Sequence, residues 1–360
     1  MFNDYLYSIK KQMKEHLEYN KNDIRKTKDE TGFYTSNKEL ENQKLKESFL
    51  NENNIIKENF EFIDIIGSGS GGVVYKALHK KSGREFAIKI IKEKERDKNL
   101  KEIFISLKLK NKNIINYLCK GDKNSNIDFL LMEFAKYGSL KEFKNNVLKR
   151  NYLSEQFLCF ITFQILNGLK YNHRCKIAHL DIKLQNIVIN EVLNVKLIDY
   201  SVALDYSKIK SKTIKLPFYG TKFYMAPEVI KEKVIDVKDL NKVDLYSLGI
   251  VLYYLAFGKY PFDLNSEDTK SYDKIYEKIT TNDLEIENGM EYSKHFIDFL
   301  NRLLEKDIKK RININEAMNH YWVKGANILL DEKDKLYKAG IFLLYLISDY
   351  FKSFNDYIKE

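Results

Sequence analysis

Between His179 and Asn186 the chain reads His-Leu-Asp-Ile-Lys-Leu-Gln-Asn, and thirteen residues further on it reaches Asp199-Tyr200-Ser201. Two short apolar runs, Ile187–Ile189 and Val195–Ile198, lie between them and predict a tight hairpin. This restricts the fold severely, because the hairpin must return Asp199 to the neighbourhood of Asp181, Lys183 and Asn186. Such a set suits phosphoryl transfer. Asp181 can accept a hydroxyl proton, Lys183 can neutralise a moving phosphoryl group, and Asn186 and Asp199 can hold metal ions.

At 360 residues, one two-lobed domain plus extensions is the simplest division. Three cysteines, Cys119, Cys159 and Cys175, are too few and too scattered for a disulfide framework or a zinc site. They point to a reducing compartment, so the expected location is cytoplasmic or nuclear. The net charge is +10, but the basic residues form no long block. A solvated Lys-rich surface accounts for it without a nucleic-acid partner. The N-terminus lacks an apolar signal core, and neither a Gly after Met1 nor a Cys near Glu360 offers a lipidation site. The longest apolar stretch, Ala339 to Leu346, is far short of the roughly 20 residues a spanning helix needs. Neither nucleic acid nor membrane is therefore expected as a partner, and the oligomeric state is left open.

Along the chain, Tyr5, Ile9, Met13 and Leu17 form one stripe of a helix, and the rest of the arm to about Lys57 reads as mobile. Strands are predicted at Phe60–Ile66, Val73–His79 and Arg84–Ile91, the last two joined by the turn Lys80-Lys81-Ser82-Gly83. A helix over Arg96–Lys110 and a strand at Ile127–Glu133 follow. Helical periodicity then dominates. Ser154 can cap a helix to about His173, and further helices are predicted at Val243–Phe257, Ser271–Ile279, Ser293–Leu304 and Asn315–Asn319. Lys333–Tyr357 reads as one more. The class is α+β, with an N-terminal extension over 1–57, a β-rich lobe over 58–135, a helical lobe over 136–323 and a helical extension over 324–360.

Two further features fit the octet. Gly67-Ser68-Gly69-Ser70-Gly71-Gly72-Val73-Val74 lets backbone amides approach phosphate oxygens without Cβ clashes, although alone it reads better as a plain glycine-rich hairpin. It leads into a strand rather than a helix, which argues against dinucleotide-binding and Walker-type loops. Ala87-Ile88-Lys89 puts a Lys within an apolar strand. That is costly unless it meets an anion, and Glu102 on the next helix is the natural carboxylate. A strand-edge Lys pointing into water is the competing explanation.

From about Phe60 to Trp322 the chain resembles the eukaryotic protein kinase family. The resemblance rests on these motifs in order, followed by Gly220-Thr221-Lys222-Phe223-Tyr224-Met225-Ala226-Pro227-Glu228, by Asp244-Leu245-Tyr246-Ser247-Leu248-Gly249 and by a late Arg311. It implies a bilobal fold and phosphate transfer from ATP, with Mg2+, to protein substrates. By the same resemblance Gly67, Ser68, Gly69, Ser70, Gly71 and Gly72 cover the ATP phosphates, and Val74 and Ala87 contact adenine. Lys89 holds the α- and β-phosphates and pairs with Glu102. Met132 is the gatekeeper and Glu133-Phe134-Ala135 the hinge. Asn186 and Asp199 bind Mg2+, Asp181 is the catalytic base and Lys183 meets the γ-phosphate. Glu228, Asp244 and Arg311 are structural. Asp-x-Lys-x-x-Asn resembles the serine/threonine branch.

The departures are informative. Leu180 stands where most family members carry an Arg that binds a phosphorylated activation segment, so activity is expected not to need phosphorylation of Ser207, Ser211 or Thr213 by that route. Ser201 replaces a Gly and narrows the segment's conformations, and Tyr200 for Phe reads as a mild packing change. Ser106 falls where an apolar residue usually sits, which predicts a loosely docked helix. Ser139 and Gln185, with Lys136 and Lys141 nearby, disfavour Arg-directed substrates and fit acidic or neutral ones. The rival reading is a catalytically silent scaffold on the same fold. Against it, Lys89, Glu102, Asp181, Asn186 and Asp199 are all present. A lipid or small-molecule kinase would lack Ala226-Pro227-Glu228.

Overall fold

The computed structural model describes residues 34–69, 72–91, 96–120, 129–148, 153–216, 220–262, 271–281 and 292–326. The helical stripe at Tyr5–Leu17 and the helix at Lys333–Tyr357 lie outside these residues. Two compact units are present. The first holds residues up to Arg96 together with Leu118–Phe134 and Glu142–Lys149, and the second holds the remainder, including Asp97–Tyr117.

The first unit is organised by strand periodicity. β1 (Phe60–Gly69), β2 (Gly72–His79) and β3 (Arg84–Ile91) run antiparallel, and β5 (Phe129–Glu133) adds to β3, giving the order β1-β2-β3-β5-β4 with β4 at Tyr117–Lys120. The β2–β3 turn closes through Ser82 and Gly83 amides donating to His79 O, with Gly83 at φ 64°. Side chains alternate across the sheet. Val73, Tyr75, Ala77, Ile88, Ile90, Phe129 and Leu131 share one buried cluster.

For residues 34–57 the expectation of a mobile arm is corrected here; the part of the arm before Tyr34 lies outside the described residues. Residues Tyr34–Glu52 (α1) and Asn54–Asn59 (α2) are helical, and Phe49 and Ile56 complete the same cluster. Phe49 is wholly buried, edge-on to Phe129 at 5.4 Å and to Phe62 at 6.2 Å. Tyr75 Oη donates to Asn42 O, and Lys46 Nζ lies over the Phe62 and Tyr75 rings. The polar composition of α1 conceals this, because two or three apolar side chains carry the docking.

The second unit is mainly helical. α3 spans Arg96–Lys108, and α4 spans Glu155–Arg174, with Ser154 accepting the Phe157 amide as its N-cap. α5 (Lys242–Phe257), α6 (Tyr272–Thr281), α7 (Lys294–Leu303, capped by Ser293) and α8 (Ile314–Asn319, closed by an Asn313–Glu316 capping box) follow. Short strand pairs punctuate them: β6 (Ile177–Ala178) with β9 (Leu204–Asp205), β7 (Ile187–Ile189) with β8 (Val195–Leu197), and β10 (Thr213–Lys215) with β11 (Val234–Asp236). β6 and β9 are too short to leave a sequence signal, and β10 and β11 are too far apart in the chain to read as a hairpin.

α3 groups with this helical unit rather than with the sheet. Ile105 and Leu109 pack with Ile114, Ile177, Tyr200 and Ala203. The loosely docked helix expected from Ser106 is therefore also corrected. Ser106 is fully buried and its side chain meets the buried Tyr117 phenol. Burial, with the Glu102, Asp199 and Tyr200 groups next in order, pushes the Tyr117 phenol well above its usual pKa and keeps it protonated.

Candidate active site

Strand register decides which face of the sheet is available to a ligand. Gly67, Val74, Lys89 and Leu130 face one another across β1, β2, β3 and β5, and Lys76, Ala87 and Met132 form the adjoining row. These positions alternate with the cluster that α1 and α2 cover, so they lie on the opposite face. Gly72 sits at φ 148°, and a Cβ there would meet Ile90 O at 2.2 Å. The neighbouring strand itself therefore demands glycine at this end of the loop. Ser68 pairs with Val73 and Gly69 with Gly72, while Ser70 and Gly71 lie outside the described residues. Glu133 ends β5, and Ala135 begins a stretch of the second unit. Lys89 belongs to the first unit and Glu102, buried on α3, to the second.

In the second unit the loop after β6 is braced from below. Asp244, in the first turn of α5, accepts the His179 amide at 3.0 Å and the Leu180 amide at 2.8 Å, and its Oδ2 lies 3.0 Å from His173 Nε2. Burial alone would raise the Asp244 pKa, but the hydrogen bond and charge of His173, with the bond from the His179 amide, outweigh it and hold the carboxyl below its usual range. Leu180 is held at φ 63° by these bonds. His179 Nε2 reaches Ile198 O at 3.0 Å, which makes it the donor nitrogen and leaves Nδ1 to accept from the Asp181 amide.

Asp181, Lys183, Asn186 and Thr221 converge. Lys183 Nζ lies 2.6 Å from Asp181 Oδ2 and 3.0 Å from Thr221 Oγ1, and Thr221 donates to Asp181 Oδ1 at 2.9 Å. Asn186 Nδ2 donates to Asp181 O and Oδ2, both at 2.9 Å. Both bonds use the amide nitrogen, which leaves the Asn186 carbonyl oxygen for a cation. The β7–β8 hairpin then returns the chain, with Ile198 N donating to Asn186 O. Asp199 follows at φ 65°, its Oδ1 accepting the Ser201 amide at 3.3 Å. Ser201 is tolerated because the left-handed conformation falls on Asp199 instead. Hard oxygen donors from Asn186 and Asp199 fit Mg2+.

The segment from Asp199 to Glu228 is tied down at several points. β9 pairs with β6, β10 pairs with β11, and Lys215 bridges to Glu232 at 2.5 Å. Leu216 is 3% exposed, and with Leu180 it lines one small cavity beside Asp181, Thr221 and Met225. At the far end Arg311 makes a bidentate pair with Glu228, at 2.7 and 2.9 Å, and donates also to Glu305 O and Lys242 O. The guanidinium also lies over the Tyr246 ring, 4.8 Å from its centroid. The sequence reading missed Thr221 as a member of the Asp181 cluster, although Gly220-Thr221 was the available signal. It also missed Asn172, which has no motif around it.

Residues 60–323 match the family described as Protein kinase domain. Curated relatives include MAP kinase kinase MKK1/SSP32 of Saccharomyces cerevisiae, 33% identical over 285 residues, covering 75% of this chain and 54% of that protein. Serine/threonine-protein kinases pakG and dst2 of Dictyostelium discoideum are 34% and 31% identical, over 257 and 272 residues. Those alignments cover 71% and 74% of this chain but 21% and 23% of the relatives. The chain thus spans between about a fifth and about half the length of these relatives.

Proposed function

The chain belongs to the protein kinase family, and we propose that it transfers the γ-phosphate of ATP to serine or threonine hydroxyls of proteins, using Mg2+. The Asp181–Lys183–Asn186–Thr221 cluster carries this reading. Asp181 accepts the substrate hydroxyl's proton, and Thr221 and Asn186 orient its carboxylate for that task. Lys183 moves from Asp181 toward the γ-phosphate as charge builds there. Asn186 and Asp199 hold Mg2+, which when bound neutralises phosphate charge. Gly67, Ser68, Gly69 and Gly72 cover the phosphates, Val74 and Ala87 face adenine beside Met132, and Lys89 meets the α- and β-phosphates. Catalysis on this account is positioning and electrostatics.

The substrates are acidic or neutral around the target residue, given the overall charge of +10 and the exposed Lys136 and Lys141. Activity does not require a phosphorylated activation segment. Leu180 cannot hold a phosphate, and the β10–β11 pairing with the burial of Leu216 supplies the order a phosphate would otherwise impose. A large rise in activity on phosphorylating Ser207, Ser211 or Thr213 would contradict this.

The deciding experiment measures γ-phosphate transfer from Mg-ATP to a peptide library for the native chain and for Asp181→Asn. Incorporation should fall by about three orders of magnitude or more, as for loss of a catalytic base with its positioning role. Equal incorporation by both overturns the mechanism, and none by either favours a nucleotide-binding scaffold.

A further inference from the structure

Tyr200 is wholly buried, and its ring packs among Ile105, Leu109, Ile114, Ile177 and Ala203, with the His179 ring centroid 4.8 Å away. A phenylalanine would satisfy that apolar environment. The hydroxyl needs a separate reason, because a buried O–H without a partner is costly. Its partner is Asn172, also wholly buried, on the last turn of α4. The pairing is reciprocal: Asn172 Nδ2 donates to Tyr200 Oη at 3.1 Å, and Tyr200 Oη donates to Asn172 Oδ1 at 3.3 Å. No other partner of the Asn172 amide is seen among the described residues. Each group therefore satisfies the other, on a helix that the segment does not move.

The residue immediately before Tyr200 is Asp199, held at φ 65°. An Asp in that conformation persists only where its surroundings impose it. We propose that Tyr200 and Asn172 are positioning residues for Asp199: their hydrogen bond pins the segment at the residue that follows the metal ligand and keeps its carboxylate turned toward the metal site. Withdrawing Tyr200 would strand both polar atoms of the fully buried Asn172, so the inward placement is favoured by more than ring burial. This inference rests on the reading of Asp199 as a Mg2+ ligand.

The test is calorimetric binding of ADP, with and without Mg2+, to the full chain and to three variants. Tyr200→Phe keeps the ring and should weaken the Mg2+-dependent part of ADP affinity by about five- to thirtyfold while leaving Mg2+-free binding unchanged. Tyr200→Phe combined with Asn172→Leu removes both polar partners and should recover most of that loss. Asp199→Asn should abolish the Mg2+-dependent part altogether. If it does not, the metal role of Asp199 falls. If Asp199→Asn abolishes it and Tyr200→Phe leaves it intact, the positioning role falls instead. Hydrogen exchange of residues 199–206 decides independently of metal. Faster exchange in Tyr200→Phe, reversed by Asn172→Leu, supports the pairing, and unchanged exchange overturns it.

Discussion

Individual side chains in this protein take their roles from what surrounds them more than from what they are. Asp244 is the clearest case, a fully buried carboxylate whose hydrogen bonds from the His179 and Leu180 amides and contact with His173 outweigh the cost of burying it. Its folded pKa lies below the ordinary 3.8, so the unfolded chain takes up the proton at higher pH than the folded one. The stability it contributes is then complete above about pH 5 and is lost as the pH falls through the depressed value. Asp244→Asn should flatten the acid limb of stability against pH below about pH 4, read by urea unfolding. An unchanged slope would assign the acid sensitivity to another carboxylate. Tyr200 shows the converse. From sequence it looked like a slightly larger Phe, and only its contact with Asn172 shows that the added oxygen is used.

At the level of elements, long regular runs declared themselves and short or polar ones did not. The Arg84–Ile91 strand lies where its β-branched pattern places it, and Ser154 and Ser293 cap the helices they precede. α1 was missed because its sequence is mostly Lys, Glu and Asn, so propensity and charge outweigh a single Phe until a sheet face is present to receive it. Phe49→Ala should cost about 3–5 kcal/mol of stability in thermal or chemical unfolding, the range for a large buried aromatic. A change under about 1 kcal/mol would mean that α1 is not part of this core. β10 and β11 were invisible for another reason, since no hairpin turn joins them and each short strand finds its partner only once the chain between them has folded. Ile214→Pro should break that pairing, and phosphotransfer should fall at least about tenfold with the cooperative unfolding transition retained. Full activity in Ile214→Pro would show that the segment does not need this support.

For the whole molecule, the charge of +10 acts at longer range than any contact. If acidic targets are preferred for electrostatic reasons, the KM for acidic peptides should rise severalfold between about 0.05 and 0.5 M salt, while neutral peptides change little. Equal salt dependence for both would remove that argument for selectivity. The sequence by itself determined the family and the α+β class, and it singled out Asp181, Lys183 and Asn186 as candidates for the chemistry, because those depend on residue type and on spacing within one or two hairpins. Tertiary structure alone decided that an N-terminal polar helix covers one face of the sheet and that Asn172 receives Tyr200. Each of these joins residues far apart in the chain, and none repeats with a helical or strand period. Local pattern carries no trace of such pairs, because their energy comes from burial and from hydrogen bonds that exist only once the partner has arrived.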